Sequence, residues 1–205
     1  MDAWLEIVIR QIILYSLPVL VSLSMVGMFE ARMMSRPLPH AFYPLSWRVA
    51  WLPLLVAIMF HRAVIFALPR PVHEDKYAAL MRLSAHGLLC GIGFLLYAWS
   101  LGHAPAQGLP PLHHWWSKVL MYFNLCMVFL HLLPLPGMLV GEWVLPRLAS
   151  RFPLCAQRMS RFGDVGVLWL WLVLAASPLP DAILGAYGIF PLYAEMATSA
   201  VHLLH

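Results

Sequence analysis

Long apolar stretches recur along this chain, separated by short polar connections, and no water-soluble fold can be built from them. Residues 7–29 are apolar apart from Arg10, Gln11 and three serines, which is the length a helix needs to cross a bilayer core. Apolar residues make up 62% of the chain and charged residues only 11%, against roughly half and a quarter in an ordinary soluble domain. A chain with so few charges has too little polar surface to solvate a globule. The expected fold is an all-α integral membrane protein, a single polytopic domain over residues 1–205.

Five stretches are predicted as spans: residues 7–29, 49–68, 83–101, 119–140 and 165–184. Asp2 and Glu6 stand where a secretory signal would carry positive charge, so the first stretch is expected to be retained as a span. Residues 30–48 hold Pro37, Pro39 and Pro44, which oppose an uninterrupted helix and suit an interfacial or re-entrant connection. The second span must hide or snorkel His61 and Arg62. The third contains Gly87, Gly91 and Gly93, which would permit close helix packing. Trp115 and Trp116 are placed as interface anchors for the fourth, which Pro134 and Pro136 should break or kink. Residues 146–164 carry Arg147, Arg151, Arg158 and Arg161 and read as a basic connection; the tail reads as interfacial or partly returning into the membrane.

The formal charge of +4 does not form a stripe, so nucleic acid is not an expected partner. Basic residues in the connections fit cytoplasmic bias, and their count favours a cytoplasmic N-terminus. Cys90 and Cys126 fall in apolar segments and Cys155 in the basic connection; with no CxxC spacing, a disulfide framework is not expected.

The ten histidines invite a metal or haem reading, and His61, His86 and His131 lie in three different predicted spans. Hydrogen bonding to neighbouring helices is the plainer reading of the same three residues, because polar groups in lipid need partners. His40, His73, His103, His113 and His114 fall in predicted loops and are expected to be solvated. No acidic residue lies in the middle of a span; Glu30 and Glu142 come closest and are expected to face the headgroup region. The chain has no HExxH, which would place two zinc ligands one helical turn apart beside a general base. It also lacks a Gly-rich phosphate loop after a strand and a GxSxG elbow, so nucleotide-driven and serine-hydrolase chemistry have no support.

One string carries a resemblance. FNLCMVFLHLLPLPGMLVGEW, residues 123–143, resembles the span of site-2 proteases, the intramembrane zinc metalloproteases, that carries the signature NLLPxPPLDG; the match is at LLPLP, residues 132–136. His131 stands at the position of the substrate-holding asparagine, and Leu139 at that of the aspartate ligand. Residues 13–24, ILYSLPVLVSLS, resemble the lead into the catalytic HExxH of short bacterial members. Continuing the register puts Val26, Gly27 and Glu30 at the first histidine, the catalytic glutamate and the second histidine. LMRLSAHGLLCGIGF, residues 80–94, resembles the AGPxxN helix, with His86 near the proline and Leu89 near the asparagine position.

The resemblance implies a site-2-protease-like core whose zinc-ligand and general-base positions, Val26, Gly27, Glu30 and Leu139, are substituted. It therefore implies no enzyme activity and no resident cofactor, in a bacterial cytoplasmic membrane. The function then expected is that of a scaffold, an accessory subunit of a membrane complex or a binding pseudoenzyme, with the lipid bilayer and other membrane subunits as partners. A cleft near His86, His131, Pro134 and Pro136 would accept an extended segment by strand addition. Alternatively, Leu139, Val26 and Met28 fill it and the outer faces bind other subunits. The competing readings are a metal or haem protein using His61, His86 and His131, with zinc or haem as its cofactor, and a residual intramembrane metalloprotease.

Overall fold

The structure, a computed structural model, describes residues 2–43, 45–68, 76–103 and 108–203; the side chains of residues 2, 49 and 153–164 lie outside that description. All regular elements among the described residues are helical: α1 (Asp2–Met33), α2 (Leu52–Met59), α3 (Lys76–Gly102), α4 (Leu112–His131), α5 (Leu139–Arg151), α6 (Pro153–Ala176) and α7 (Phe190–His202). π-helical segments lead into α2 (Trp47–Trp51) and α7 (Asp181–Ile189).

Two helices, α1 and α3, are long and apolar enough to cross a membrane. At 1.5 Å per residue they extend about 48 and 40 Å, beyond the roughly 30 Å of a hydrocarbon core. Only 39% of the apolar window of each is buried inside the protein, so most of it faces outward, as lipid contact requires. A third crossing is formed if Val165–Ala176 and Asp181–His202, bent by 66°, count as one span. This is the pattern of a membrane protein.

The predicted span over residues 49–68 is not one helix. α2 stops at Met59, and His61 takes a left-handed conformation (φ 51°). Its N–H donates to the Ile58 carbonyl while the Arg62 N–H reaches back to Ala57, closing the helix end. α1 ends in the same way, with Ser35 at φ 53° and the Arg36 N–H on the Ala31 carbonyl. Beyond His61 the chain runs irregularly, yet Val64, Ile65, Phe66, Ala67 and Leu68 are all buried. Buried irregular backbone needs hydrogen-bond partners of its own. Asp181 accepts the N–H groups of Ala63 (3.3 Å) and Val64 (2.7 Å), Tyr122 donates to the Ala63 carbonyl (2.7 Å), and Arg62 Nε donates to the Ala176 carbonyl (2.9 Å).

The other proline breaks fall where proline removes the backbone donor. α4 ends at His131 and α5 begins at Leu139, so Pro134 and Pro136 sit in the turn between them. α6 ends at Ala176, ahead of Pro178 and Pro180. The basic connection over residues 146–164 is helical, contrary to the loop reading. α5 continues to Arg151, and α6 starts at Pro153, where proline suits the first turn. Of the four arginines, Arg158 and Arg161 have side chains outside the described residues, as does Cys155; Pro44 and His73 also lie outside them.

α3 and α4 form the most extensive helix pair, and both pack on α1. Gly93 makes the close approach possible: a Cβ there would stand 2.6 Å from the Met121 backbone nitrogen. Gly87 and Gly91 face open space, so one of the three expected packing glycines is used at this interface.

Candidate functional site

The three-helix core of α1, α3 and α4 encloses polar side chains. Ser22 and Glu30 on α1, Arg82 and His86 on α3, and Asn124 and His131 on α4 are all buried. Spacings of four, seven or eight residues put each pair on one helix face, and the three polar faces meet inside the protein.

Asn124 is the hub. Its amide nitrogen donates to the Leu120 carbonyl (2.8 Å), which fixes the amide orientation and turns Oδ1 toward Ser22 and His86. Oδ1 accepts from Ser22 Oγ at 2.6 Å and is 2.8 Å from His86 Nδ1. Because an amide oxygen only accepts, the proton must be on His86 Nδ1. The neutral ring then carries its lone pair on Nε2, which is buried and has no hydrogen-bond partner among the described residues.

His131 is arranged the other way round. Its Nδ1 accepts the Leu139 N–H at 3.3 Å, so in the neutral ring the proton lies on Nε2. The two rings are 5.9 Å apart between centroids and tilted by 45°. The two neutral rings thus differ in tautomer, with a lone pair on His86 Nε2 and a proton on His131 Nε2. Two metal ligands would need two lone pairs, and His131 Nε2 has none to give while the Leu139 bond is kept. No group of three His, Cys, Asp or Glu able to hold a metal ion occurs among the described residues.

One layer away lies a buried ion pair: Arg82 Nη1 and Glu30 Oε1 are 3.1 Å apart, with side chains 3% and 2% exposed. Glu30 therefore does not face the headgroup region. Arg82 Nη2 also donates to the Gly137 carbonyl (3.2 Å), and the Gly137 N–H donates to Glu142 Oε1 (3.0 Å). The proline turn over residues 132–138 is held from both sides by ionic side chains.

The sequence-predicted positions separate accordingly. Val26 is fully buried and packs with Ala85, Leu89 and Phe29, so apolar side chains fill the space between α1 and α3 there. Gly27 is buried beside it. Leu139 is half-buried at the start of α5, Pro134 is exposed and Pro136 half-buried. His61 is exposed at the end of α2, edge-on to Trp4, and takes no part in the His86–His131 pair. His114, expected to be solvated, is buried and 3.0 Å from Ser100 Oγ. Its helix starts earlier than the predicted span, and the ring lies against Tyr97.

Sequence reading missed Ser22, Arg82, Asn124 and Asp181. The first three had a legible signal in the spacings Ser22/Glu30, Arg82/His86 and Asn124/His131; Asp181 had none, because its partners are backbone groups far away in sequence. Comparison of the chain with family models, curated proteins and solved structures finds no match.

Proposed function

We propose that this protein is a non-catalytic membrane protein, a degenerate relative of site-2 proteases that serves as a scaffold or accessory subunit of a membrane complex in a bacterial cytoplasmic membrane. In this reading its spans number five, with the second, fourth and fifth broken rather than straight. The observation that carries it is the fate of the positions aligned with the metalloprotease centre. Val26 is packed among Ala85, Leu89 and Phe29, Glu30 is tied to Arg82, and the Leu139 backbone occupies a ring nitrogen of His131. Glu30 and His131 Nδ1 are thereby engaged within the protein.

Much of the remaining surface is apolar and outward-facing, including Leu88, Ile92 and Leu95 on α3 and Trp169 and Val173 on α6. Such faces accept lipid or another membrane helix. Purification in mild detergent tests the reading: a dedicated subunit brings a defined partner in fixed stoichiometry. A monodisperse, partner-free monomer contradicts it.

A second reading, a histidine-ligated metal or haem protein, is favoured by the free lone pair on His86 Nε2. It requires His131 to release the Leu139 N–H and turn a lone pair inward. Purified protein with neither a Soret band nor stoichiometric metal eliminates it.

A further inference from the structure

Antiparallel packing of α1 and α3 brings together connections that the apolar pattern had separated. Glu30, near the end of α1, is paired with Arg82, near the start of α3 (3.1 Å), and Val26 packs against Ala85 and Leu89. α4 runs back alongside α3, with His114 against Tyr97 and Ser100 at one end and Asn124 bonded to His86 further along. The end of α1 and the start of α3 therefore lie together. Whatever path residues 34–75 take, it leaves and returns at one end of the bundle. A straight second span would have put Arg36 and Lys76 on opposite sides. Part of the path does reach the far end, where His61 stands edge-on to Trp4, 6.3 Å between ring centroids. It then turns back: the Ala63 carbonyl accepts from Tyr122, and the Ile65 backbone meets Cys126, one turn further toward the His131 end of α4.

The basic residues sort accordingly. Arg32, Arg36, Lys76, Arg82 and Arg147 gather at the end shared by Met33, Lys76 and His131. α5 is tied to this end because Arg82 and Glu142 both bond to Gly137 and Lys76 Nζ lies 5.5 Å from the Trp143 ring centroid. Arg147 is 5.8 Å from the same ring. Arg10 and Lys118 stand toward the other end, where both line a cavity beside Trp115. Tyr77, Trp143 and Leu148 are exposed next to the cations of the first end. Aromatic, apolar and basic side chains presented together are the mixture found at headgroup level. Positively charged connections are retained on the cytoplasmic side, where anionic lipids attract them.

We infer that the end of the bundle carrying Arg32, Arg36, Lys76 and Arg147 is the face that meets the anionic cytoplasmic leaflet, with the Trp4 end of α1 and the α3–α4 connection on the opposite side. The inference rests on the membrane reading above. It reverses the orientation expected for α1 from five straight crossings, because residues 34–75 return to the side they leave. The basic connection after α4 stays cytoplasmic, and the start of α1 changes sides.

The test is labelling of single-cysteine variants of the full chain by a membrane-impermeant maleimide, in spheroplasts and in inverted vesicles from the same cells. Cys90 and Cys126 are buried, and Cys155→Ala supplies the background. Arg36, Lys76, His103 and Leu109 are all exposed, so cysteine is tolerated at each, and two sites per face keep the result readable if one variant fails to fold. His103→Cys and Leu109→Cys should label at least about tenfold faster in spheroplasts, and Arg36→Cys and Lys76→Cys at least about tenfold faster in inverted vesicles. Labelling of Arg36→Cys and Lys76→Cys from opposite sides overturns the return of residues 34–75. The reverse pattern at all four positions overturns the orientation. Equal labelling of all four from both sides, with the chain released by alkaline carbonate, refutes the membrane reading beneath it.

Discussion

Gly93→Ala tests how the α3–α4 interface is built. The added Cβ would meet the Met121 nitrogen at 2.6 Å and its Cα at 2.9 Å. Those are helix backbone atoms, which cannot swing aside as a side chain would. Reaching ordinary contact at roughly 3.5 Å requires the helices to part locally by about 0.9 Å. Two turns away the His86–Asn124 bond is 2.8 Å long. A separation of that size carries it past the roughly 3.2 Å upper range of a good hydrogen bond. Overpacking costs about 1–3 kcal/mol, offset by up to about 1 kcal/mol from alanine's better helix propensity. The net loss is therefore about 0–3 kcal/mol and centres on about 1.5 kcal/mol, a fall of roughly 3–6 °C in Tm at that centre for a chain of this length. Gly87→Ala and Gly91→Ala, whose added methyls meet nothing within 4 Å, supply the controls and should be neutral or slightly stabilising. Unfolding in mixed micelles, followed by circular dichroism, measures all three. Equal shifts for the three variants would refute a backbone contact at Gly93.

Three further perturbations address the polar core and the proline turn. Asn124→Ala strands both the Ser22 hydroxyl and the His86 Nδ1–H, at about 1–3 kcal/mol for each buried donor, whereas Ser22→Ala removes a donor and should cost about 1 kcal/mol; equal destabilisation in the same unfolding assay would contradict the hub role. Glu30→Ala breaks a buried ion pair and should cost about 3–5 kcal/mol, while Glu30→Leu with Arg82→Met should recover part of it, the Gly137 carbonyl having lost its donor; a double variant whose loss equals the sum of the two single losses shows the coupling to be wrong. Gly141→Ala would drive its methyl into the Leu135 carbonyl and must reshape the turn; faster proteolysis at residues 132–138 is the expected readout, and an unchanged cleavage pattern speaks against the turn geometry.

Apolar run length made the membrane assignment and the long helices α1 and α3 legible, since both depend on residues contiguous in sequence. Proline positions likewise marked the breaks after His131 and Ala176. The end of α2 was harder to see. Residues 64–68 are as apolar as a helix core, and their irregular path depends on Asp181, more than a hundred residues later, accepting two of their N–H groups. The basic segment over residues 146–164 misled in the opposite direction. Its charge density resembled a connection, but its arginines, leucines and alanines are good helix formers. At the candidate site, His86 and His131 were picked out for their rarity in apolar segments. Asn124 was passed over because a single asparagine in an apolar stretch gives no hint of how many partners it serves. Tautomer assignment, which decides what the histidines can do, follows from those partners alone.

The two acidic residues nearest the ends of predicted spans, Glu30 and Glu142, converge on the backbone of one residue. Gly137 has φ 78°, a left-handed conformation that side-chain-bearing residues rarely adopt, and the prolines beside it cannot donate backbone bonds. Its carbonyl is taken by Arg82, whose charge Glu30 balances, and its N–H by Glu142. A turn without helical hydrogen bonds needs such external partners for its backbone groups. The same turn positions Leu139 so that its N–H reaches His131. The chain of dependence therefore runs from the Glu30–Arg82 pair through Gly137 to the His131 tautomer. Loosening the ion pair should free the His131 Nδ1 lone pair before it exposes the histidine pair to solvent. Glu30→Gln, which keeps an acceptor for Arg82 but not its charge, separates these two effects: the His131 ring nitrogen resonances should shift while the His86 resonances, anchored by Asn124, hold.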